Sequence, residues 1–258
     1  MSLLRIAFCF GVIIPALVSA QTARSRKDEQ LRGPVRSMVV ERVRLSDKDK
    51  SSELNRRTVD IASYDEDRRL NERDVYDDYG FLVGRERYRY GPSGLLSEST
   101  LFDVVNKKIS ERRTFQYDSK GKTVSIRTYD TNGRLRFRQD FKNDINGNLL
   151  IEVMRTPNKL IGKRISKLDP DGAINEMISY SANGDVEEKW RYTYDALGNL
   201  AEESLYNPDG SRRKVFVHRY ELDAHGNWIK RSTTVSLDIA NEPHYESIFV
   251  TYRTIKYF

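Results

Sequence analysis

The segment YTYDALGNL, residues 192–200, decides how this chain folds. Asp195 to Gly198 is a tight-turn signal, because glycine accepts the positive φ that such turns demand and a preceding Asp hydrogen-bonds its own backbone. On both sides of the turn, side chains alternate with a period of two, which is the period of a β-strand. The segment therefore predicts two strands joined by a tight corner.

The same corner recurs along the chain. Successive glycine corners lie 12 to 16 residues apart, except for two gaps of 27 and 25 residues. We divide these gaps at Asn106 and Lys159 and place one earlier corner at Arg68, where Arg68 and Lys159 predict looser or bulged turns. The rhythm over residues 68–226 predicts a repeating unit of two strands and two turns. The turn glycines are Gly80, Gly94, Gly121, Gly133, Gly147, Gly172, Gly184, Gly198, Gly210 and Gly226.

The segments between the corners predict an all-β fold. In residues 186–194, Trp190 and Tyr192 share one face while Lys189 and Arg191 share the other. We expect about sixteen antiparallel strands in a long meander, opening near 35–45, with a loop through 46–55, and closing near 245–258. A sheet this wide cannot stay flat, so it must curl or fold over on itself as a flattened barrel, a spiral or a U-shaped sheet.

Composition and the first residues predict an exported protein. Of 258 residues, 38% are hydrophobic and 32% are charged, which excludes a helical membrane protein. Residues 1–20 combine one Arg, a short apolar run and the ending Val-Ser-Ala, a pattern typical of a cleaved signal peptide. Its removal takes away Cys9 and lowers the formal net charge from +6 to +5. We expect a polar N-terminal segment over 21–34 and a single domain over 35–258.

Residues 64–230 resemble the YD-repeat, or RHS-repeat, superfamily of exported bacterial proteins. The resemblance rests on the corner at 192–200 and on Tyr206-Asn207-Pro208-Asp209-Gly210, and it is supported by the ends of the chain, LRGPV at 31–35 and HGNWIK at 225–230. Large members form spiral shells around a toxin. This chain has too few repeats to enclose a payload, so the resemblance implies a small β-repeat domain with an exported address.

The sequence offers no catalytic, metal or cofactor motif. The three histidines, His218, His225 and His244, share no ligand spacing, and the corner aspartates are explained by turn formation. The loops at 144–148 and 169–172 lack the full register of a calcium site. Export and interspersed acids argue against a nucleic-acid partner despite Arg-rich strands. We therefore predict a non-catalytic protein without a cofactor and without a transmembrane helix in the mature chain.

The predicted function is a scaffold or binding module of the cell envelope, in the periplasm, on the cell surface or outside the cell. Its partner is a protein or a glycan of the envelope. Exposed aromatic residues near the C-terminal end are the candidate ligand contacts, although packing in the core is the more common reason for aromatic residues on a sheet. The candidates are Trp190, Trp228, Tyr245 and Tyr252.

Two alternatives stay open. One is an envelope hydrolase that uses acidic residues on the sheet. The other is an integral outer-membrane β-barrel, which the strand count and the terminal Phe258 suit. Short strands and equally short turns at both ends oppose the barrel, as do charges on the face expected to meet lipid. These charges are Glu86, Glu111, Arg113 and Glu188.

Overall fold

The computed structural model describes residues 31–45, 55–144, 146–156, 158–239 and 242–258, and the side chains of 238–247 are not among those described. The predicted signal peptide and residues 21–30 of the polar segment lie outside these ranges. The described residues form sixteen antiparallel strands, in line with the predicted number. They are β1 Val35–Leu45, β2 Arg57–Tyr64, β3 Leu70–Tyr76, β4 Leu82–Tyr90, β5 Leu96–Asp103, β6 Lys108–Tyr117, β7 Thr123–Tyr129, β8 Leu135–Asn143, β9 Leu149–Arg155, β10 Lys159–Leu168, β11 Ile174–Ser181, β12 Val186–Tyr194, β13 Leu200–Tyr206, β14 Arg212–Leu222, β15 Trp228–Ile239 and β16 Glu242–Tyr257.

The meander closes into a barrel. Each strand pairs with its sequence neighbours, and β1 pairs with β16 from Val35 opposite Tyr257 to Leu45 opposite Ile248. Of the three predicted ways to curl the sheet, the barrel is the one that forms. With strands about 4.8 Å apart, sixteen of them give a circumference of about 77 Å, and closed barrels of this strand number leave space inside.

The corners share one hydrogen-bonded design. At the β12–β13 corner the Gly198 amide donates to the Asp195 carbonyl at 2.8 Å, and Asp195 Oδ1 accepts from the amides of Leu197 and Asn199 at 2.9 and 2.8 Å. Every predicted turn glycine has φ between 73° and 93°. The Asp carboxylate thus pairs amides that the turn leaves without a strand partner.

The three corners without glycine test the predicted turn positions. Arg68 has φ 63° and donates to the Asp65 carbonyl at 2.9 Å, so this corner is as tight as the glycine corners rather than looser. The other two predicted positions are each wrong by one residue. The positive φ falls on Lys107, not Asn106, and on Asn158, not Lys159, because the hydrogen-bonded loops are shorter there.

A bulge follows almost every corner, and alternation alone did not predict it. After the corner at Gly198, Thr193 lies opposite Glu202 while Tyr194 lies opposite Leu200, so Ala201 is the extra residue on the outgoing strand. The equivalent shift recurs in the other hairpin pairings between β2 and β15, apart from β8–β9. Bulges raise the local right-handed twist and bend the strand, so their repetition curls the sheet toward closure.

The barrel has two unlike rims. We call one the clasp rim, because both ends of the described barrel, Leu31 to Pro34 and Phe258, lie there with the turns at 65–69, 91–95, 118–122, 144–148, 169–173, 195–199 and 223–227. The opposite rim carries the turns at 77–81, 104–107, 130–134, 156–158, 182–185 and 207–211.

Candidate ligand-binding wall in the lumen

The register defines which side chains face the lumen, because directly paired residues lie on the same face of a sheet. Through successive pairings, Met177, Trp190, Leu205 and Lys214 share one face. This face also holds most of the buried side chains, including Leu205, Ile126 and Phe141, so it is the inner face. The predicted segregation into an aromatic and a charged face is therefore correct for 186–194, with the aromatic face inside.

A row of aromatic rings lines the inner face across β12 to β15. The Trp190 ring lies 6.4 Å from Tyr192 at an interplanar angle of 13°, and 6.1 Å from Phe216 at 29°. Trp190 and Phe216 come from the strands on either side of β13, whose Leu205 pairs with Trp190 and is buried. The three rings are half-buried, so part of each ring stays exposed on the inner face. We call Trp190, Tyr192 and Phe216 the aromatic platform.

The row of rings continues to Trp228, which is buried and forms the closed end of the row. The His218 and Tyr220 rings lie 6.4 Å apart, and Tyr220 lies 6.1 Å from Trp228. Trp228 is only 5% exposed, and the guanidinium carbon of Arg253 lies 3.5 Å from its ring centroid. A cation over an indole face is a favourable contact that also covers the ring. Trp228 is thus a packed anchor, whereas the aromatic platform is open.

Hydrogen-bonding groups border the aromatic platform. Trp190 Nε1 donates to Glu188 at 3.1 Å. The buried His218 ring bridges Thr233 Oγ1 at 2.9 Å and Glu203 Oε1 at 3.1 Å. Glu203 is paired with both Tyr192 and Phe216, so its carboxylate lies beside the platform. A flat apolar surface flanked by carboxylates is suited to a ligand with an apolar face and hydroxyl edges.

A second polar cluster lies on the inner face of β2, β3, β4 and β6. Arg73 binds Asp60, Tyr88 donates to Glu86 at 2.8 Å, and an Arg113 nitrogen lies 3.7 Å from Glu86. Burial raises the pKa of Asp60, although Arg73 opposes this, and burial together with Glu86 raises the pKa of Tyr88. Buried charges that are paired in this way hold a local structure, because removing one partner leaves the other uncompensated.

The structure separates the four predicted contact residues. Trp190 belongs to the aromatic platform, and Trp228 lies at the closed end of the same row. Tyr252 lies on the outer face, 9% exposed, where it packs with Val43 and Val250 below the Arg56 guanidinium. The Tyr245 side chain lies outside the described residues. The structure therefore buries Trp228 and Tyr252, as expected of aromatics that pack in a core, and the role of the four residues as ligand contacts stays a prediction.

Sequence reasoning missed Tyr192 and Phe216 as partners of Trp190. Both take part in visible alternation, since Tyr192 follows Trp190 by two residues and Phe216 begins the series with His218 and Tyr220. The missing information was the register that brings β12 and β14 to the two sides of β13. Two pairings with bulges set that register, and neither is legible in a single sequence.

The acidic loops considered for calcium are used as turns. Asp144 Oδ1 accepts from the amides of Asn146 and Asn148 at 2.8 and 2.9 Å, and Asp169 Oδ1 accepts from Ala173 at 2.8 Å. Among the described residues, no group of three or more His, Cys, Asp or Glu side chains is arranged to hold a metal ion. Within the same ranges, no helix has the length and apolar character that spanning a membrane requires.

Comparison with known proteins gives a fold but no family. No family model and no curated protein matches the chain. Among solved structures, a porin-like protein from Bacteroides uniformis is 11% identical with a TM-score of 0.58, covering 88% of this chain and 99% of that one. A porin-like protein from Bacteroides vulgatus is 15% identical with a TM-score of 0.45, covering 85% and 98%. A LolA superfamily protein from Nitrosomonas europaea is 6% identical with a TM-score of 0.26, covering 93% and 92%.

These findings overturn the predicted membership of the YD-repeat or RHS-repeat superfamily. The fold that this chain shares with a solved structure is the closed barrel of a porin-like protein, not a spiral shell. The physical reason is that a Tyr-Asp-x-x-Gly corner encodes only local turn chemistry. Any meander of tight hairpins needs such corners, and pairing between the first and last strands decides whether the sheet closes.

Proposed function

We propose that this protein is a non-catalytic, exported β-barrel of the cell envelope that binds a glycan on the inner wall of its lumen. The aromatic platform carries the proposal, because Trp190 and Tyr192 present nearly parallel, half-open rings beside the carboxylates of Glu188 and Glu203. Sugar rings have an apolar face of C–H groups and a rim of hydroxyls, which matches flat rings bordered by acceptors. A protein partner would need the lumen to admit a chain segment, which nothing in the platform favours.

Tryptophan fluorescence tests the proposal. Titration with a β-1,4-linked N-acetylglucosamine oligomer and with a neutral β-glucan oligomer should change the emission of Trp190. Trp228→Phe should keep this response, because Trp228 is packed at the closed end. Tyr192→Ala should weaken binding about tenfold, since a large part of the stacking surface is lost.

Tyr206→Ala is the matched control. Tyr206 lies on the neighbouring strand but on the outer face, paired with Lys189, and it is half-buried like Tyr192. Equal loss of binding in the two variants would contradict a site in the lumen. Chromatography of the same oligomers after incubation checks for cleavage, and shortened products would favour the alternative envelope hydrolase.

The integral outer-membrane barrel is the competing function, and the likeness to a porin-like barrel favours it. The outer face opposes it. Arg85 forms a two-bond pair with Asp74 at 2.6 and 2.9 Å, and Glu176 binds Lys167, Lys189 and Arg191 within 3.2 Å, all on that face. Charges facing lipid cost about 2–4 kcal/mol each near the middle of a bilayer.

The charges that argue against a membrane barrel are therefore not the ones predicted from the sequence. Glu86, Glu111, Arg113 and Glu188 share the inner face by register, where they would meet the lumen and not lipid. Cell fractionation separates the two functions. Recovery of the protein without detergent supports the binding barrel, and recovery only from detergent-solubilised outer membrane contradicts it.

A further inference from the structure

Three arginine side chains lie together on the inner face of the strands that close the barrel. Arg42 of β1 and Arg231 of β15 are both paired with Thr251 of β16, so they lie on its two sides with their backbones about 10 Å apart. Arg253 follows Thr251 by two residues and therefore points to the same face. We call Arg42, Arg231 and Arg253 the arginine cluster.

An indole ring and a charge interaction connect the members of the arginine cluster. The guanidinium carbons of Arg231 and Arg253 lie 5.2 and 3.5 Å from the centroid of the Trp228 ring. Stacking on a ring uses the flat face of a guanidinium group, whereas anions bind the N–H groups at its edge. The protein around Arg42 removes part of its hydration, and this loss together with the charge of Arg231 lowers the pKa of Arg42, while Asp78 opposes both effects.

The carboxylates near the arginine cluster do not balance its charge. Asp60 is bound by Arg73, and its charge also acts on Arg253. Asp78, which is exposed in the β3–β4 turn, acts on Arg42. Among the described residues, two carboxylates, one of them shared with Arg73, thus act on three guanidinium groups. The cluster keeps a net positive charge.

The other acids of this region make contacts elsewhere. Glu86 and Glu111 both contact Arg113 in the second polar cluster. Glu41 of β1 lies on the outer face by its register. Within the described part of the chain, the buried Nε of Arg231 has no hydrogen-bond acceptor. An anion from outside the protein would therefore supply the charge and the acceptors that the wall does not provide.

We propose that the arginine cluster binds the phosphate group of a phosphorylated sugar oligomer in the lumen. A phosphate monoester carries about −1.5 to −2 charge at pH 7 and has three acceptor oxygens. It can therefore accept from guanidinium groups on three strands at once, whereas the two oxygens of a carboxylate are matched by a single guanidinium group.

The row of rings connects the arginine cluster to the aromatic platform. On the inner face of β14 the row runs from Phe216 through His218 to Tyr220, and Tyr220 is paired with Arg231. These four steps along a strand span about 13 Å. An oligomer, unlike a single sugar, can lay its rings on the platform and its phosphate group on the cluster. Recognition of the sugar rests on the proposed glycan site, whereas phosphate binding does not.

Calorimetric titration with inorganic phosphate at constant ionic strength tests the phosphate site. The parent should bind, and Arg42→Gln and Arg231→Gln should each bind about tenfold more weakly, because each loses a charged donor. Arg155→Gln is the matched control, since Arg155 is exposed and lies on the inner face of β9, paired with Phe137. It should bind like the parent. Equal weakening in all three variants, or acetate binding as tight as phosphate binding, would overturn the proposal.

Tryptophan emission locates the phosphate separately from the sugar. In Trp190→Phe the emission comes from Trp228, the other of the two tryptophans, and phosphate should change it because two arginines of the cluster contact this ring. In Trp228→Phe phosphate should leave the emission of Trp190 unchanged. A response of Trp190 alone would contradict the assigned place. Circular dichroism and thermal unfolding confirm that each variant is folded.

A phosphorylated trimer of β-1,4-linked N-acetylglucosamine tests the sugar. It should bind at least about tenfold more tightly than inorganic phosphate, because the two contacts are linked in one ligand. Tyr192→Ala should remove this advantage and leave the binding of inorganic phosphate unchanged.

Glycerol phosphate represents a lipid headgroup and should bind only like inorganic phosphate. Tighter binding of glycerol phosphate than of the trimer would assign the cluster to lipid and overturn the sugar assignment. Phosphate binding without any response to neutral oligomers would contradict the proposed glycan site but not the phosphate site. A normal response to neutral oligomers without phosphate binding would overturn the phosphate site alone.

Discussion

The two rims of the barrel have the same type of turn, but the side chains at the two rims make different contacts. On the clasp rim, Asn227 joins the two ends of the described chain: its Nδ2 donates to the Arg32 carbonyl at 2.9 Å and to the Tyr257 hydroxyl at 2.8 Å, and its Oδ1 accepts from the Arg32 amide at 2.6 Å. The Tyr257 hydroxyl in turn binds Asp223, and the His225 ring stacks on Tyr257 at 4.1 Å. We call these five residues the clasp.

Tyrosine hydroxyls also connect the hairpins along the clasp rim. In four hairpins, a tyrosine at or near the end of one strand donates to the carbonyl of the first residue of the strand before it, at 2.8 or 2.9 Å. The tyrosines are Tyr90, Tyr117, Tyr194 and Tyr220, and the acceptors are Leu70, Leu96, Ile174 and Leu200. The opposite rim instead exposes large apolar side chains at two of its turns, Tyr79 and Phe81 at one and Val105 at the other. The comparison teaches that one end of the barrel is built for closure while the other is available for contact.

The clasp offers the largest expected effect. Asn227→Ala should lower the free energy of unfolding by about 2–4 kcal/mol, because Asn227 is 4% exposed and its loss leaves the Arg32 amide and carbonyl without these partners. Asn199→Ala is the control. Asn199 occupies the same turn position, and its amide donates to Asp195 as the Asn227 amide donates to Asp223, but its Nδ2 donates to Asp195 of its own turn at 2.9 Å. It should cost about 1 kcal/mol by urea unfolding. Equal losses would mean that the clasp adds nothing to the turn.

Acid pH tests the clasp rim a second way. The outer-face carboxylate of Glu176 is largely buried, which opposes ionisation, but Lys167, Lys189 and Arg191 outweigh burial and lower its pKa from 4.5 to about 2. A lowered pKa in the folded state means that this carboxylate stabilises the protein above pH 4.5. That stability is lost as the pH falls toward 2.

The expected loss across this range is about 1–2 kcal/mol, reduced from the full shift because Lys167 and Arg191 are half-exposed. Glu176→Gln should flatten the dependence of unfolding free energy on pH between 4.5 and 2. Glu152→Gln, which removes one exposed pair with Lys142, should leave most of it in place. An unchanged slope in Glu176→Gln would show that other carboxylates control acid stability.

The tyrosine hydroxyls give a smaller and more local effect. Tyr194→Phe removes the bond to the Ile174 carbonyl and should cost about 1 kcal/mol in unfolding free energy. Tyr129→Phe is the counterpart near the opposite rim, where the ring lies under the Arg112 guanidinium at 4.5 Å and the substitution keeps the ring. It should cost less than about 0.5 kcal/mol. Equal costs would contradict the idea that hydroxyl bonds distinguish the rims.

The features that depend on residues close together in the sequence could be predicted, and those that depend on distant residues could not. The corners and the alternation are local, so the strand number, the meander order and the position of the turn at Arg68 are legible from residues in one segment, although the turn is tighter than predicted. Closure depends on β1 meeting β16, more than two hundred residues away, and sequence left it as one of three possibilities. The same limit applies to the aromatic platform, since the partner of Trp190 is fixed by pairings across three strands. Alternation also failed to show that the inner face holds buried charges such as Asp60 and Glu86, because a paired charge in a strand looks like a solvent-facing one.

The smallest effect asks whether the corners themselves differ between the rims. Arg68 on the clasp rim and Lys107 on the opposite rim hold φ at 63° and 52°, which costs an L-residue about 1–2 kcal/mol relative to glycine. Glycine offsets about 0.5–1 kcal/mol of this gain, because it makes the unfolded chain more flexible. Arg68→Gly and Lys107→Gly should therefore each raise the unfolding free energy by about 0.5–1 kcal/mol, measured by urea denaturation. Equal gains would show that the corners are autonomous units, so that the difference between the rims comes from the clasp and the tyrosine hydroxyls. A gain at Lys107 alone would mean that contacts outside the turn backbone also stabilise the corner at Asp65–Arg69. The ion pair between Arg69 and Asp65 at 2.9 Å is such a contact, and side chains would then contribute to the stability of the clasp rim.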